Sequence, residues 1–293
     1  MKTIEARLME RRTRRICLFA ITTLALGARL PLAALTKHPG HADPAFYYTL
    51  ATNVAAGRGL VIDYIWHFLG DVSALSHPAC DYWPPLAALI MSAPLSVLGR
   101  SLFAALLPGV LCGALLALLA YAVARAFSCS PLYALSAALL ATFSPDIFVY
   151  SLRTEATIYY ALIVSASLLC AIKGLHDAHW QLPAFGLAAL APPTRQDGFL
   201  LLPVLLIAVA MSAGTRRQRA QRAGAGLGCY ALLLLPYLLL NLHTLGQLLP
   251  TGPAKTIFLT EYEDLYSYGK ALGWHSYWAW GLEAIVRSKL LAG

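Results

Sequence analysis

The chain has 293 residues, of which 59% are hydrophobic and only 12% are charged. Soluble globular domains carry about 25% charged residues, so this composition excludes an ordinary soluble domain and predicts a polytopic membrane protein. The formal net charge is +8, but Lys and Arg cluster between the apolar runs, as the positive-inside rule expects. No motif that reads DNA or RNA accompanies them, so the sequence predicts no nucleic-acid partner.

Long apolar runs predict the membrane spans, since a helix needs roughly 20 apolar residues to cross a bilayer. The region 182–213 is also apolar but contains PPTRQDG, and two prolines followed by polar residues are unfavourable in lipid. Two short crossings joined at 192–198 would leave both basic segments, the N-terminus and 214–222, in the cytoplasm. The sequence therefore predicts an all-α fold with about seven transmembrane helices. The five uninterrupted runs are 16–35, 100–124, 131–150, 156–172 and 224–242.

This topology places a long first loop, residues 36–99, on the outer side of the membrane, together with nearly all of the acidic residues. A loop of this length is too long for a simple connection, and such loops tend to carry function. Within it, residues 84–98 are apolar but short and contain Pro94. We predict a transmembrane module over 1–242, with its catalytic loop at 36–99, and an outer-face segment over 243–293.

The stretch HADPAFYYTLATNVAAGRG, residues 41–59, predicts a helix inside this loop. Asp43 is a preferred N-cap residue, and Pro44 suits the first helical position. The helix is expected to run to about Ala56 and to end at Gly57.

One face of this helix carries apolar residues every fourth position, namely Phe46, Leu50 and Val54, with Tyr47 beside them. Asn53 is expected on another face. The pattern predicts a helix that lies in the membrane interface rather than across it.

Several residues of the outer loop allow both a structural and a chemical interpretation. Asp43 is explained by capping alone, or by a role as an acid in chemistry. Tyr47 and Tyr82 are typical of an aromatic belt at the headgroup level. His38 and His41 have metal-ligand side chains, but no helix holds them at a fixed spacing, so we predict no metal.

Several short motifs follow one another along the chain. An acid and a Tyr-rich helix ending in Gly-Arg-Gly occupy 43–59, and Pro-Pro-Leu opens a segment that ends in Leu-Gly at 84–99. Downstream lie SPDIFVYSLRTE, then APPTRQDGFLLLP, and finally NLHTLGQLLPTGPAK. Their order resembles the GT-C glycosyltransferases, in the branch of the protein O-mannosyltransferases and lipid A aminoarabinose transferases. The chain departs from that pattern at Pro44, where relatives often have a second acid, and at Trp83, where they often have a basic residue.

The resemblance implies a hexosyl or pentosyl transferase that moves a sugar from a polyprenyl-phosphate carrier to a lipid, glycan or protein acceptor. It implies no cofactor. Asp43 would be the catalytic acid or base, with Glu155 as a second acid, although Glu155 also suits the first turn of a helix. The cations could equally anchor lipid headgroups. Candidate substrate-binding residues are Arg195, Lys255, Arg153, Tyr47 and Tyr82.

The resemblance also predicts a multi-pass protein of the cell (inner) membrane, with a cytoplasmic N-terminus and its active face outside. Because relatives have more spans, the chain is expected to be the N-terminal half of such a protein. The competing interpretation is a multi-pass transporter or flippase of lipids or glycans. Those proteins usually place ionisable residues in the middle of the membrane, whereas the acids here lie in loops and at span ends.

Overall fold

The computed structural model describes residues 11–67, 69, 74–250 and 252–291. The chain divides into two compact units. The first contains Met1–Gly57 and Pro84–Pro236, and the second contains Arg58–Trp83 and Tyr237–Gly293.

The first unit is built from helices. The first half of it contains α1 (Arg11–Leu35), α2 (Asp43–Ala55), α3 (Leu86–Leu98), α4 (Leu102–Ala126) and α5 (Pro131–Phe143). The second half contains α6 (Pro145–Tyr150), α7 (Thr157–Gly174), α8 (Gln181–Ala188), α9 (Leu201–Met211) and α10 (Arg216–Leu245), which continues into the second unit. Single 3-10 turns lie at Ala178–Trp180 and Gln196–Leu200.

Within the described residues, four helices have the length and apolar composition needed to cross a membrane, namely α1, α4, α7 and α10. They coincide with four of the five uninterrupted apolar runs, which confirms the predicted all-α membrane fold. Local sequence explains their ends: Ser101 caps α4 by accepting a hydrogen bond from the Ala104 amide at 3.2 Å. Their packing is close, and Ala33 of α1 shares a buried cluster with Leu106 and Val110 of α4.

The predicted span 131–150 is not one helix. α5 ends at Phe143, Ser144 adopts an extended ψ of 126°, and α6 begins at Pro145. Proline disfavours the helical conformation in the residue before it and cannot donate a backbone hydrogen bond. A single continuous helix over this run was therefore the wrong prediction.

The apolar region 182–213 is broken where the sequence predicts, with PPTRQDG between α8 and α9. The two helices have 8 and 11 residues. A helix of that length rises about 12–17 Å, well short of the roughly 30 Å hydrocarbon core. The break is present, while the crossing of the membrane by each short helix stays a prediction.

α2 differs in detail from its predicted form. Asp43 is its first helical residue, and Ala42, at φ 59°, occupies the N-cap position, so the predicted N-cap role of Asp43 is wrong by one residue. The helix ends at Ala55, and Gly57 follows at φ 78°, in the left-handed region that favours glycine. The predicted C-terminus is confirmed.

The faces of α2 also differ from expectation. Phe46, Tyr47 and Leu50 are buried as a packing face against α3. Asn53 is buried on the same side at 1% exposure, so its predicted exclusion from the buried face is wrong. α2 is therefore packed against protein along this side.

The second unit is mostly short elements. The strands β1 (Val61–Ile62) and β2 (His77–Pro78) pair antiparallel, with Val61 opposite Pro78. Its helices are α11 (Gly252–Lys255), α12 (Trp274–Ala279) and α13 (Leu282–Leu291), with 3-10 turns at Thr256–Phe258 and Tyr262–Tyr266.

A buried carboxylate organises the loop between these turns. Asp264 is 1% exposed, accepts hydrogen bonds from the amide and hydroxyl of Thr260 at 2.8 Å each, and pairs with Lys270. Burial by itself raises the pKa of Asp264, but the hydrogen bonds from Lys270 and Thr260 outweigh it and hold the pKa at about 2.

Candidate active site

Two segments that are far apart in sequence meet at the start of α2. The Thr154 hydroxyl donates a hydrogen bond to the Pro44 carbonyl oxygen at 2.7 Å, and Thr154 is fully buried. This bond joins the turn that precedes α7 to the first turn of α2. Asp43 and Glu155 share one electrostatic neighbourhood, in which the Asp43 carboxylate raises the pKa of Glu155.

Glu155 is 8% exposed. Burial is the largest influence on its pKa and raises it, and the nearby carboxylate of Asp43 raises it further. Arg153 and Arg195 act in the opposite direction, but the net pKa stays above the ordinary glutamate value. Glu155 therefore takes up a proton more readily than an exposed glutamate does.

One carboxylate oxygen of Glu155 is left without a hydrogen bond. Its Oε1 is buried and forms an ion pair with Nη1 of Arg153, but the separation of 3.7 Å is too long for a hydrogen bond, and no other described residue bonds to it. Buried polar atoms in folded proteins are usually satisfied, so an exception calls for an explanation. A bound hydroxyl donor would supply the missing bond.

The two arginines of this neighbourhood are only half buried. Arg153 exposes 49% of its side chain, and its Cζ lies 5.7 Å from the centroid of the Tyr150 ring. Arg195 exposes 47% and donates from Nε to Asp197 Oδ1 at 3.2 Å. The Arg195–Asp197 pair is exposed on both sides and contributes little stability, so the Arg195 guanidinium can exchange Asp197 for a phosphate.

The turn that carries Arg195 is tightly fixed. The Arg195 amide donates to the Ala191 carbonyl at 2.8 Å, and the Gly198 amide donates to the Arg195 carbonyl at 2.9 Å. The Leu86 amide donates to the Pro193 carbonyl at 2.8 Å, which ties the Pro-Pro-Leu motif to this turn. Two motifs that the sequence analysis treated separately thus form one substructure.

The remaining predicted site residues lie elsewhere. Tyr47 is 2% exposed and packs edge-on against Phe46 at 5.4 Å between ring centroids, on the buried face of α2, and its role in substrate binding stays a prediction. Tyr82 belongs to the second unit, where its ring lies 4.1 Å from that of Trp83. Lys255 ends α11 in the same unit. Roles for Tyr82 and Lys255 in substrate binding stay predictions.

Sequence reasoning missed two contributors to the site. Thr154 stands between the charged residues of SLRTE, and its hydroxyl gave no sign that it would bond to Pro44. Arg29 is a single cation inside an apolar run, which is a signal of function in a membrane segment. Its side chain is fully buried and contacts Ser151, the first residue of the turn that leads to Glu155.

The chain matches a known protein family. A family model described as dolichyl-phosphate-mannose-protein mannosyltransferase matches residues 82–240, more than half of the chain. The matched range contains Arg153, Glu155 and Arg195, whereas Asp43 and Lys255 lie outside it. No curated protein and no solved structure matches the chain.

Proposed function

We propose that the protein, which belongs to the dolichyl-phosphate-mannose-protein mannosyltransferase family, moves a sugar from a polyprenyl-phosphate carrier to an acceptor on the outer face of the cell membrane. As a member of that family, it is a multi-pass membrane glycosyltransferase of the GT-C type. The family description names a mannosyl donor, so polyprenyl-phosphate-mannose is the donor to test first. Family membership favours this function over the transporter alternative.

The reaction that we propose is a displacement at the anomeric carbon of the sugar. An acceptor oxygen forms a bond to that carbon while the bond from the carbon to the phosphate oxygen breaks. The acceptor proton passes to a carboxylate, and the carrier leaves as a polyprenyl monophosphate. The protein must supply a base for the proton and cations for the phosphate.

The main support for this proposal is that two carboxylates and two cations, the groups that the reaction requires, lie in the same compact unit. Asp43 would serve as the base, since the first turn of α2 favours its anion. Glu155 would bind the acceptor hydroxyl through its unsatisfied Oε1. Arg153 and Arg195 would hold the phosphate, for which guanidinium groups are well suited.

The donor site is tested by removing the cations one at a time. We expect Arg195→Ala to weaken binding of polyprenyl monophosphate about tenfold or more, because charge-assisted bonds to the phosphate are lost. Arg153→Ala tests the second proposed cation in the same way, and Lys255→Ala separately tests the remaining predicted one. Affinity is measured for the purified chain in detergent, and activity is measured as transfer of labelled mannose from polyprenyl-phosphate-mannose to an acceptor.

The control for this series is Arg217→Ala, which removes an exposed cation from the basic segment at the start of α10. It should leave affinity unchanged. Wild-type affinity in both Arg195→Ala and Arg153→Ala would refute their assignment and leave Lys255 as the remaining predicted cation. Absence of donor binding and transfer in the wild type would refute the function.

The outer-face assignment is tested by labelling single introduced cysteines in whole cells. A membrane-impermeant maleimide should label Gln196→Cys, in the turn next to α9, and should not label Gln218→Cys, in the basic segment, until the cells are opened. The unmodified chain gives the background from its native cysteines. Labelling of position 218 from outside would overturn the proposed topology.

A further inference from the structure

Arg29 lies inside the membrane-spanning helix α1 and is fully buried. Its guanidinium donates in three directions. Nε donates to the Ser151 hydroxyl at 2.8 Å, Nη2 to the Thr142 carbonyl at 2.8 Å, and Nη1 to the Ala25 carbonyl at 3.1 Å. One side chain thus links α1 to two separate parts of the chain.

Those two parts flank the break that interrupts the predicted span 131–150. Thr142 lies in the last turn of α5, and Ser151 directly follows α6. Between them, the ring of Phe148 lies 4.6 Å from the Arg29 Cζ, in the geometry of a cation–π contact. Arg29 therefore contacts the end of α5, the middle of α6 and the residue after it.

The neighbouring helix leaves room for this arrangement. A Cβ added to Gly113 of α4 would lie 2.8 Å from Ser151 Cβ and 2.9 Å from Arg29 Nε. A Cβ added to Gly109, one turn earlier, would lie 2.8 Å from the Ser151 carbonyl oxygen. These distances are far below ordinary van der Waals contact. The absence of a Cβ at both glycines of α4 therefore lets Ser151 pack closely against that helix.

A buried cation with neutral partners is a costly way to hold helices together. Every acceptor that Arg29 meets in the described part of the chain is neutral, and apolar packing often serves stability as well as buried charge does. The guanidinium contributes several N–H donors in a fixed planar geometry, so one side chain can hold several acceptors in defined positions at once. Lysine carries the same charge without that fork.

We propose that Arg29 is a positioning residue: through Ser151 it sets the place of the turn Ser151–Glu155, and thereby of Arg153 and Glu155. The link is short, because Ser151 begins the turn and Thr154, three residues later, fastens it to Pro44. Arg29 fixes one end of the turn and Thr154 the other. The catalytic part of this inference rests on the proposed function, whereas the positioning part does not.

The test compares Arg29→Lys and Ser151→Ala with Gly27→Ala, a matched control in α1 whose added Cβ meets nothing within 4 Å. The first readout needs no substrate. Arg153→Cys is introduced into each background, and its rate of reaction with a water-soluble maleimide is measured for the purified chain, with the chain lacking that cysteine as background. We expect the rate to change about threefold or more in Arg29→Lys and Ser151→Ala, and to stay unchanged in Gly27→Ala.

The second readout is transfer of mannose from polyprenyl-phosphate-mannose, with Arg153 intact. A misplaced turn should lower kcat about ten- to a hundredfold. The two substitutions should not add in the double variant, because they break one link. The acidic limb of the pH profile should move to lower pH, since a released turn exposes Glu155 to water and burial is the main cause of its raised pKa.

An unchanged labelling rate in Arg29→Lys would overturn the positioning proposal, whatever the transfer assay gives. Lower yield of folded protein with normal kcat and an unmoved pH profile would also overturn it, since that result describes a purely structural residue. A changed labelling rate in a chain that transfers no sugar would retain the positioning and refute the proposed function instead.

Discussion

Asp43→Asn should abolish most of the sugar transfer while the protein stays folded. Loss of a general base typically costs about a hundred- to ten-thousandfold in rate, because the amide cannot take the acceptor proton. The substitution keeps the size of the side chain and an acceptor oxygen. Asp43 is the first helical residue rather than the N-cap. Loss of its charge there removes a helix-dipole interaction of about 0.3–1 kcal/mol from α2.

The measurement is kcat for mannose transfer by membranes that contain equal amounts of each variant, with thermal stability followed in parallel. Asp146→Asn is the matched control, because Asp146 also follows a helix start, in the first turn of α6, and is exposed. It should leave transfer unchanged. Near-normal transfer by Asp43→Asn would reduce Asp43 to a structural residue and leave Glu155 as the leading acid.

The fold was largely predictable from hydropathy, since four apolar runs became the four long helices. The exceptions are helix breaks inside apolar runs, which arise from a few residues that a hydropathy average does not detect. Pro145 ended a span that hydropathy treats as continuous, and PPTRQDG divided another. Sequence could name the second break because several of its residues are polar, whereas Ser144, Pro145 and Asp146 interrupt the first run only briefly.

The site was predictable as a list of residue types but not as an arrangement. Asp43, Glu155 and Arg195 were singled out because they lie in the motifs whose order resembles the family. Their proximity depends on tertiary bonds, such as the one from Thr154 to Pro44, that link positions 110 residues apart. Side-chain bonds of this kind leave no periodicity in the sequence.

The hidden role of Arg29 has a similar origin. An arginine near the end of a predicted span is easily taken for a headgroup anchor. Its significance appears only when Ser151 and the two glycines of α4 are placed around it. For a buried cation in an apolar run, the sequence therefore gives the residue but not the groups that it contacts.

The second large effect is expected at Gly198, in the turn that carries Arg195. A Cβ added there would lie 2.4 Å from the Ala191 carbonyl carbon and 2.5 Å from the Pro192 nitrogen. These are backbone atoms, which cannot rotate away as a flexible side chain can. Relief requires the turn to move, and the turn is bonded through Pro193 to Leu86.

Gly198→Ala should therefore destabilise the protein by about 1–3 kcal/mol or more, as overpacking does, and should weaken binding of polyprenyl monophosphate because Arg195 moves with the turn. Thermal stability and phosphate affinity of the purified chain measure the two effects. Gly228→Ala is the control, since its added Cβ meets nothing within 4 Å and alanine favours the helical conformation of α10. Wild-type stability in Gly198→Ala would show that the turn tolerates displacement, and the close packing of PPTRQDG would then no longer explain how Arg195 is held.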